Sequence, residues 1–246
     1  MNLIINESAN LDYSLFDGVI IDYLFDNDSK EVFNSKIKEY KKSVKEVFIR
    51  FRKLLTNKEI EDVKSFIYGL ENFDYIICSD YGLYYALNLE YKRKFIFDSN
   101  ITINNFSDYL EYENTLAYGN FISFEIDGEG ILNILERKNK PVFMYGYGYL
   151  PIFFSKRNLL SNFKNNENFE INTKEDLYLV EEKRQDQKYY INEFKDNFII
   201  RRNEKNNISN IFSFSVFSLL DYFVIDSYKL SNDELKSLVI KIKDIK

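Results

Sequence analysis

The sequence contains no histidine, and this absence excludes more chemistry than any other feature of its composition. A Ser–His–Asp triad, a Cys–His pair and a histidine metal ligand all require an imidazole side chain. Cys78 is the only cysteine among the 246 residues. An internal disulfide, a zinc site built on cysteines and a self-contained iron–sulfur cluster are therefore excluded as well. We predict no bound cofactor, and the composition assigns no catalytic residue.

Proline, glycine and tryptophan are also scarce, with 2, 8 and 0 copies, whereas the chain has 20 tyrosines and 23 phenylalanines. The small number of glycines and prolines leaves few sequence signals for turns. The aromatic excess is typical of AT-rich codon usage, an explanation that we favour over a base-stacking role for these side chains.

The chain has no excess of positive charge and no long apolar run. Its 33 Lys and Arg residues against 39 Asp and Glu residues give a formal charge of -6. Such a chain is a poor autonomous binder of nucleic acid, because that affinity comes mostly from cationic contacts to phosphate. The N-terminus lacks the features of a signal peptide, and no uncharged apolar run approaches the about 18–20 residues of a membrane helix. We therefore expect a soluble cytoplasmic protein without a membrane partner.

Short runs of β-branched and aromatic residues alternate with longer segments of helical period. One such segment has Ile60, Val63 and Ile67 on one face, behind a capping box formed by Thr56 and Glu59. This alternation is typical of an α/β protein with a parallel sheet. Eight core strands are predicted at residues 3–6, 18–22, 47–51, 75–79, 94–98, 121–125, 141–145 and 222–226.

Eight strands, most of them followed by a helix, in 246 residues match the size of a TIM-barrel-like parallel (β/α) barrel, either complete or incomplete. The interval after the seventh strand is too long for one crossover helix. Residues 164–172 are rich in Asn and indicate a surface loop, and residues 177–182, 189–191 and 198–202 resemble short antiparallel strands. We predict one domain over 1–246, with an inserted β-hairpin region, or flap, over 164–205.

The active site of a parallel barrel is built from residues at or just past the C-terminal ends of its strands. Helix capping alone can account for a polar residue at any one of these positions. A cluster that contains both signs of charge suits a small anionic or polar ligand. The rule covers Asp22, Tyr145 and Asp226, and the positions selected as candidate binding residues are Arg50, Asp80, Asp98, Asn100 and Glu125.

Two chemistries for these carboxylates stay open. Asp98, Glu125 and Asp226 offer oxygen ligands of the kind that Mg²⁺ prefers, or two of them could act as a general acid and a general base. No sequence motif fixes their spacing, so we predict no metal site. Cys78 ends an apolar strand and is expected to be a small core residue rather than a nucleophile.

Three stretches and the strand that follows them resemble the collagenase-like peptidase family U32. Residues 47–82 read as a strand, an acidic amphipathic helix and a second strand that ends in Asp80 and Gly82. Residues 95–105 read as a strand followed by a polar loop with Asn. Residues 141–163 are similar to the family's signature strand, glycine and S-x-R-x-L-L run, in which Ser155 and Arg157 stand, and residues 177–184 resemble the next strand, with Glu181 and Arg184.

The resemblance implies a barrel-like fold, and it adds Ser155, Arg157, Glu181 and Arg184 to the candidate binding residues. Arg157 stands in an otherwise apolar run, so we expect it to be buried or half-buried beside an anionic partner. Cluster-binding members of the family use four cysteines, whereas this chain has only Cys78 and carries Tyr147 and Tyr149 after its signature glycine. A cluster-bearing paralogue is therefore the expected partner.

The likeness is strongest to short, cysteine-poor members linked to hydroxylation of wobble uridine in tRNA. Our first hypothesis is thus a subunit or accessory of tRNA hydroxylation rather than a true protease, with Arg50, Arg157 and Arg184 holding carboxylates or phosphate. The acidic charge requires that tRNA be bound through a basic partner, or through the local run Lys183, Arg184, Lys188, Lys195, Arg201 and Arg202.

Two other hypotheses are retained. The chain could be a peptidase that depends on a metal or a carboxylate pair, as the family's name implies. It could also be a degenerate, non-catalytic barrel that serves as a binding partner, since drift away from catalysis would leave a chain without His and with almost no Cys.

Overall fold

A computed structural model describes residues 1–8, 11–23, 29–98, 102–167, 177–194, 197–208 and 218–244. The chain forms two compact units. The first unit contains residues 1–146 and 207–246, and the second contains residues 147–206. The prediction of a single domain with an insertion over 164–205 stays a prediction, and each unit is described by itself.

The described segments contain thirteen strands. They are β1 (Asn2–Asn6), β2 (Gly18–Asp22), β3 (Glu46–Arg50), β4 (Tyr75–Cys78), β5 (Phe95–Phe97), β6 (Gly119–Phe121), β7 (Val142–Gly148), β8 (Pro151–Ser155), β9 (Leu177–Glu181), β10 (Arg184–Phe194), β11 (Asn197–Arg202), β12 (Asn206–Asn207) and β13 (Tyr222–Ile225).

The described segments contain eight α-helices. They are α1 (Lys30–Tyr40), α2 (Asn57–Ile67), α3 (Tyr81–Ala86), α4 (Leu89–Lys92), α5 (Phe106–Glu113), α6 (Gly128–Arg137), α7 (Leu159–Glu167) and α8 (Asn232–Asp244). Of these, α7 belongs to the second unit, and the others lie between or after the strands of the first unit. Helix α2 begins at the predicted capping box, in which the Thr56 hydroxyl accepts from the Glu59 N–H and the Glu59 carboxylate accepts from the Thr56 N–H. None of the helices in these segments has both the length and the apolar composition needed to cross a membrane.

Eight strands close into a barrel. The ring runs β13–β1–β2–β3–β4–β5–β6–β7, and β7 also lies beside β13. Neighbouring strands of the ring are parallel. For example, Asn2 of β1 pairs with Tyr222 of β13, and Phe121 of β6 pairs with Phe143 of β7. The predicted parallel (β/α) barrel is therefore confirmed, and the ring is complete. Each of the eight predicted strands corresponds to one strand of this ring.

Aromatic side chains fill the interior of the barrel. Phe48 on β3 contacts Phe143 on β7, with ring centroids 6.0 Å apart, and Phe143 stacks on Tyr222 at 4.1 Å. At the N-terminal end of the strands, the Tyr222 hydroxyl donates to Glu46 Oε1 at 3.0 Å. Burial raises the pKa of Glu46, although the hydrogen bond from Tyr222 lowers it. This packing closes one end of the interior and leaves polar side chains to gather at the other.

The second unit is an antiparallel sheet with the strand order β8–β11–β10–β9. It confirms the β-hairpin region expected after the seventh strand, and extends it upstream to Pro151. Helix α7 is joined to the sheet by Glu193 of β10, whose carboxylate accepts from the N–H groups of Leu160 and Ser161 at 2.8 and 3.0 Å. The loop predicted over 164–172 is wrong for residues 164–167, which continue α7 because these hydrogen bonds stabilise its first turn. The rest of that prediction lies outside the described residues.

Gly146 of β7 is required by close packing against β13. A Cβ atom at this position would lie 2.0 Å from the Phe223 ring. We expect Gly146→Ala to lower the free energy of unfolding by about 1–3 kcal/mol, the usual cost of overpacking a core. Urea unfolding measures this change. The control is Gly128→Ala, since a Cβ at Gly128 meets nothing within 4 Å, and an equal loss in the two variants would contradict the interpretation.

Candidate functional site

Buried polar side chains gather at the C-terminal ends of the barrel strands. Six polar residues of the described segments are buried, and all but Asn120 lie at or just after the end of a strand. Parallel strands all end on the same side of a barrel, so these residues surround one mouth. They are Asn6 after β1, Asp98 after β5, Ser123 after β6, and Asp226 and Ser227 after β13.

Arg50 spans this mouth. It ends β3, in register with Asp22, which ends β2. The Arg50 guanidinium donates from Nε to Asp22 Oδ1 at 2.6 Å and from Nη2 to Asp22 Oδ2 at 2.8 Å. Its Nη1 donates to the Tyr145 hydroxyl on β7 at 2.6 Å. Since β3 and β7 are four strands apart in either direction around the ring, this hydrogen bond crosses the barrel.

The protonation states of Arg50 and Tyr145 are set by their surroundings. Burial opposes the charge of Arg50, but Asp22 and Tyr145 outweigh burial, and the pKa of Arg50 lies well above its ordinary value. Burial also raises the pKa of the Tyr145 phenol. Arg50 lowers that pKa, while Asp98, Asp226 and Asp22 raise it further. Arg50 therefore stays charged and Tyr145 keeps its proton over the working pH range, among three carboxylates.

Asp98 is a buried carboxylate with one oxygen unsatisfied. Its residue is 3% exposed, and Lys53 Nζ lies 3.4 Å from Oδ2. Asp98 Oδ1 has no hydrogen-bond donor within the described part of the chain. An unsatisfied buried acceptor lowers the stability of the folded protein by about 1–3 kcal/mol. A ligand that donated a hydrogen bond to Asp98 Oδ1 would remove that cost.

Asn6 provides a second acceptor of this kind at the mouth. Its residue is 4% exposed, and its Oδ1 has no donor among the described residues. The next residue, Glu7, is neutralised by Lys36 at 2.7 Å and accepts from the Tyr40 hydroxyl at 2.8 Å. The described part of the mouth thus contains two buried acceptors, on Asp98 and Asn6, that have no donor.

Potential metal ligands are not clustered among the described residues. They contain no group of three or more His, Cys, Asp or Glu side chains arranged to hold a metal ion. Cys78 is buried, as expected, and burial raises its pKa to about 12. Its thiol donates to the Arg52 carbonyl at 3.4 Å, so it stays protonated and is not a nucleophile.

The structure brings two of the predicted site residues of the first unit together and separates two others. Arg50 and Asp98 share the mouth, and Asp98 acts electrostatically on Arg50. Asp80 caps α3, where its Oδ1 accepts from the Leu83 N–H at 3.1 Å. Glu125 is exposed in a turn beyond β6, so the expectation that it ends a strand is wrong. Asn100 lies outside the described residues.

Ser155, Arg157, Glu181 and Arg184 belong to the second unit. Ser155 ends β8, and its Oγ accepts from the Arg157 N–H at 3.0 Å. Arg157 is exposed, so the expectation of a buried arginine is wrong: the run that contains it leaves the sheet after Ser155. Glu181 and Arg184 are exposed register partners on β9 and β10. The ligand-binding roles of these four residues stay predictions.

Sequence reasoning missed one member of the mouth and left others unselected. Lys53 lies three residues beyond the end of β3, where the sequence pattern gives no signal for its approach to Asp98. Four other strand-end residues satisfy the same rule without being among the selected binding residues: Asn6, Asp22, Tyr145 and Asp226. Only closure of the ring shows that Tyr145 faces Arg50.

Comparison with known proteins identifies the class to which this barrel belongs. The model of peptidase family U32 matches residues 24–239, so the chain belongs to that family. A solved structure described as the U32 peptidase Mk0906 has the same fold, with a TM-score of 0.53, 13% sequence identity and 92% of each chain covered. No curated protein matches the sequence. The resemblance inferred from the sequence motifs is confirmed at the level of the family.

The hydrogen bond across the mouth is tested by Tyr145→Phe, which removes the acceptor of Arg50 Nη1. We expect the free energy of unfolding to fall by about 1.5–3 kcal/mol, the usual contribution of a hydrogen bond to a charged group. Tyr118→Phe is the matched control, because Tyr118 and Tyr222 form a neutral hydroxyl pair at 3.0 Å, worth about 0.5–1.5 kcal/mol. Urea unfolding gives both values, and a loss at Tyr145 no larger than the loss at Tyr118 would refute the charged bond.

Proposed function

We propose that this U32-family chain acts in the cytoplasm as a subunit or accessory of tRNA wobble-uridine hydroxylation, and that it is not itself a protease. Its barrel mouth would hold a small ligand rich in hydrogen-bond donors. A cluster-bearing paralogue would supply the redox chemistry and the oxygen donor, since this chain has one cysteine and no histidine.

The observation that carries the proposal is the pair of buried acceptors at the mouth. Asp98 Oδ1 and Asn6 Oδ1 have no donor within the described segments. A uridine offers matching donors in its base N3–H and its ribose hydroxyls, and recognition of unpaired bases uses such edges. Three of the five N–H groups of Arg50 already donate to Asp22 and Tyr145, so a role for Arg50 as an anion ligand depends on the other two.

The chemistry of the described residues gives proteolysis little support. The only thiol is buried and stays protonated, and the chain has no imidazole to activate a hydroxyl. A carboxylate pair at the mouth is the remaining route to hydrolysis. Asp98 is already engaged with Lys53, and Asp226 Oδ1 accepts from the Tyr228 N–H at 3.0 Å.

Gene deletion in the source organism tests the proposed function. We expect mass spectrometry of its tRNA to find loss of the hydroxyl group at the wobble uridine, with restoration by the wild-type gene. Asp98→Asn should restore less than about a tenth of that level, since a lost charge-assisted contact costs a factor of ten or more in binding. Asp62→Asn changes an exposed carboxylate of α2 in the same way, and it should restore the wild-type level.

Two outcomes would overturn the proposal. Unchanged wobble hydroxylation in the deletion strain would remove the tRNA role. Cleavage of denatured collagen or casein by the purified chain, with Mg²⁺, Mn²⁺ or Zn²⁺ present or absent, would favour the peptidase hypothesis if Asp98→Asn abolished it. Variants are compared only when they accumulate to the wild-type level in the cell.

A further inference from the structure

One face of the second unit's sheet carries a cluster of tyrosines. Tyr178 of β9 and Tyr190 of β10 are register partners, so both project from the same face. Their ring centroids are 5.0 Å apart. Tyr149 packs edge to face against Tyr190, with centroids 5.2 Å apart. The three rings form a continuous aromatic surface.

Three cations lie among these rings. Lys188 Nζ is 5.7 Å from the centre of the Tyr178 ring, and Lys205 Nζ is 5.4 Å from the centre of the Tyr149 ring. Arg201 donates from Nη1 to the Tyr149 carbonyl at 2.7 Å. We refer to the tyrosine face as the surface formed by Tyr149, Tyr178, Tyr190, Lys188, Arg201 and Lys205.

Both faces of the sheet carry exposed side chains, and the buried residues of β10 and β11 lie opposite the tyrosine face. On the tyrosine face, Tyr178 is 41% exposed, and Lys188 is also exposed. On the opposite face, Ile191 and Phe198 are 7% and 3% exposed, whereas Leu179 is 42% exposed. Tyr178 is therefore a surface residue of the sheet and not part of its buried cluster.

The charge of the chain is distributed unevenly along the sequence. Residues 147–206 carry 11 Lys and Arg against 10 Asp and Glu, whereas the other segments carry 22 against 29. The net acidic charge therefore lies outside the second unit. The objection that an acidic chain is a poor binder of nucleic acid does not apply to this part of it.

We propose that the tyrosine face binds unpaired nucleotides of RNA. Bases would stack on Tyr178 and Tyr190, and phosphates would contact Lys188, Arg201 and Lys205. The identity of the RNA as a tRNA anticodon loop rests on the proposed function, but the binding of unpaired RNA rests on the tyrosine face alone. It also makes direct contact of this chain with tRNA independent of a basic partner.

The chemistry of the face distinguishes RNA from other occupants. An acidic peptide would use the cations, but its carboxylates would make no stacking contact with the tyrosine rings. An apolar protein surface would use the rings but would leave the cations desolvated and unpaired. Bases joined by phosphates satisfy both at once, and a sheet that presents aromatic side chains to solvent is a common platform for single strands.

Fluorescence anisotropy with the full chain measures this binding. The probe is a labelled anticodon stem-loop with uridine at the wobble position, and the competitors are a fully paired RNA duplex and polyglutamate. We expect Tyr178→Ala to weaken binding about 5- to 150-fold, the range found for loss of one stacking contact, and Tyr178→Phe to retain it. Tyr189→Ala is the matched control, because Tyr189 lies on the neighbouring strand β10, beside Tyr190, and projects from the opposite face.

Salt dependence separates the two parts of the contact. Lys188→Ala should reduce the slope of log affinity against log salt by about 0.7, the effect of one phosphate contact to a single strand. Tyr178→Ala should leave that slope unchanged. Equal effects of Tyr178→Ala and Tyr189→Ala, or displacement of the probe by polyglutamate as effectively as by unlabelled stem-loop, would overturn the proposal.

The same measurements distinguish failure of this inference from failure of the proposed function. Specific binding through Tyr178, together with unchanged wobble hydroxylation in the deletion strain, would support the tyrosine face and reject the tRNA hydroxylation role. Loss of hydroxylation on deletion, together with wild-type binding by Tyr178→Ala, would reject the tyrosine face. Thermal unfolding of each variant identifies any loss of binding that comes from misfolding.

Discussion

The guanidinium of Arg50 is the interaction on which the mouth of the barrel depends. It joins the ends of two neighbouring strands through Asp22 and reaches a third strand on the far side of the ring through Tyr145. A carboxylate or a phenol placed alone at this depth would pay for desolvation without compensation. With Arg50 between them, both are satisfied, and the ends of β2, β3 and β7 are held in one geometry. Polar residues can therefore occupy a position in the barrel that aromatic side chains would otherwise fill.

The hydrogen bonds of Arg50 also bear on the ligand that we propose for the mouth. The guanidinium of Arg50 already forms two hydrogen bonds with the carboxylate of Asp22. This ion pair joins two strand ends, and the N–H groups that form it are not available to an anionic ligand. At the mouth, Oδ1 of Asp98 and Oδ1 of Asn6 are buried acceptors that have no donor among the described residues. Lys53 Nζ lies 3.4 Å from Oδ2 of Asp98, the oxygen opposite the unsatisfied Oδ1. The ligand that we propose, a small molecule rich in hydrogen-bond donors, is complementary to these two acceptors.

The fold was predictable from the sequence because parallel strands that are covered on both sides read as continuous apolar runs. Val19, Ile20 and Ile21 are all fully buried, and the run alone locates β2. The residues at which each strand begins and ends were less predictable than its existence. Strand β6 begins at Gly119 and ends at Phe121, so Glu125 falls in the next turn, where its N–H donates to the Ser123 hydroxyl at 3.1 Å. Apolar character at residues 121 and 122 indicates a strand but does not fix its register, which depends on pairing with β5 and β7.

The candidate site was less predictable than the fold, since each of its contacts joins residues that are remote in sequence. Arg50 and Tyr145 are 95 positions apart, and no local pattern relates them. The tyrosines illustrate the same limit, because their number, which we attribute to codon usage, says nothing of their location. Alternation along β9 and β10 places Tyr178 and Tyr190 on one face, while Tyr189 projects from the other. Total composition thus cannot show which tyrosines share a surface, because the pleat of the sheet assigns chemically identical residues to opposite faces.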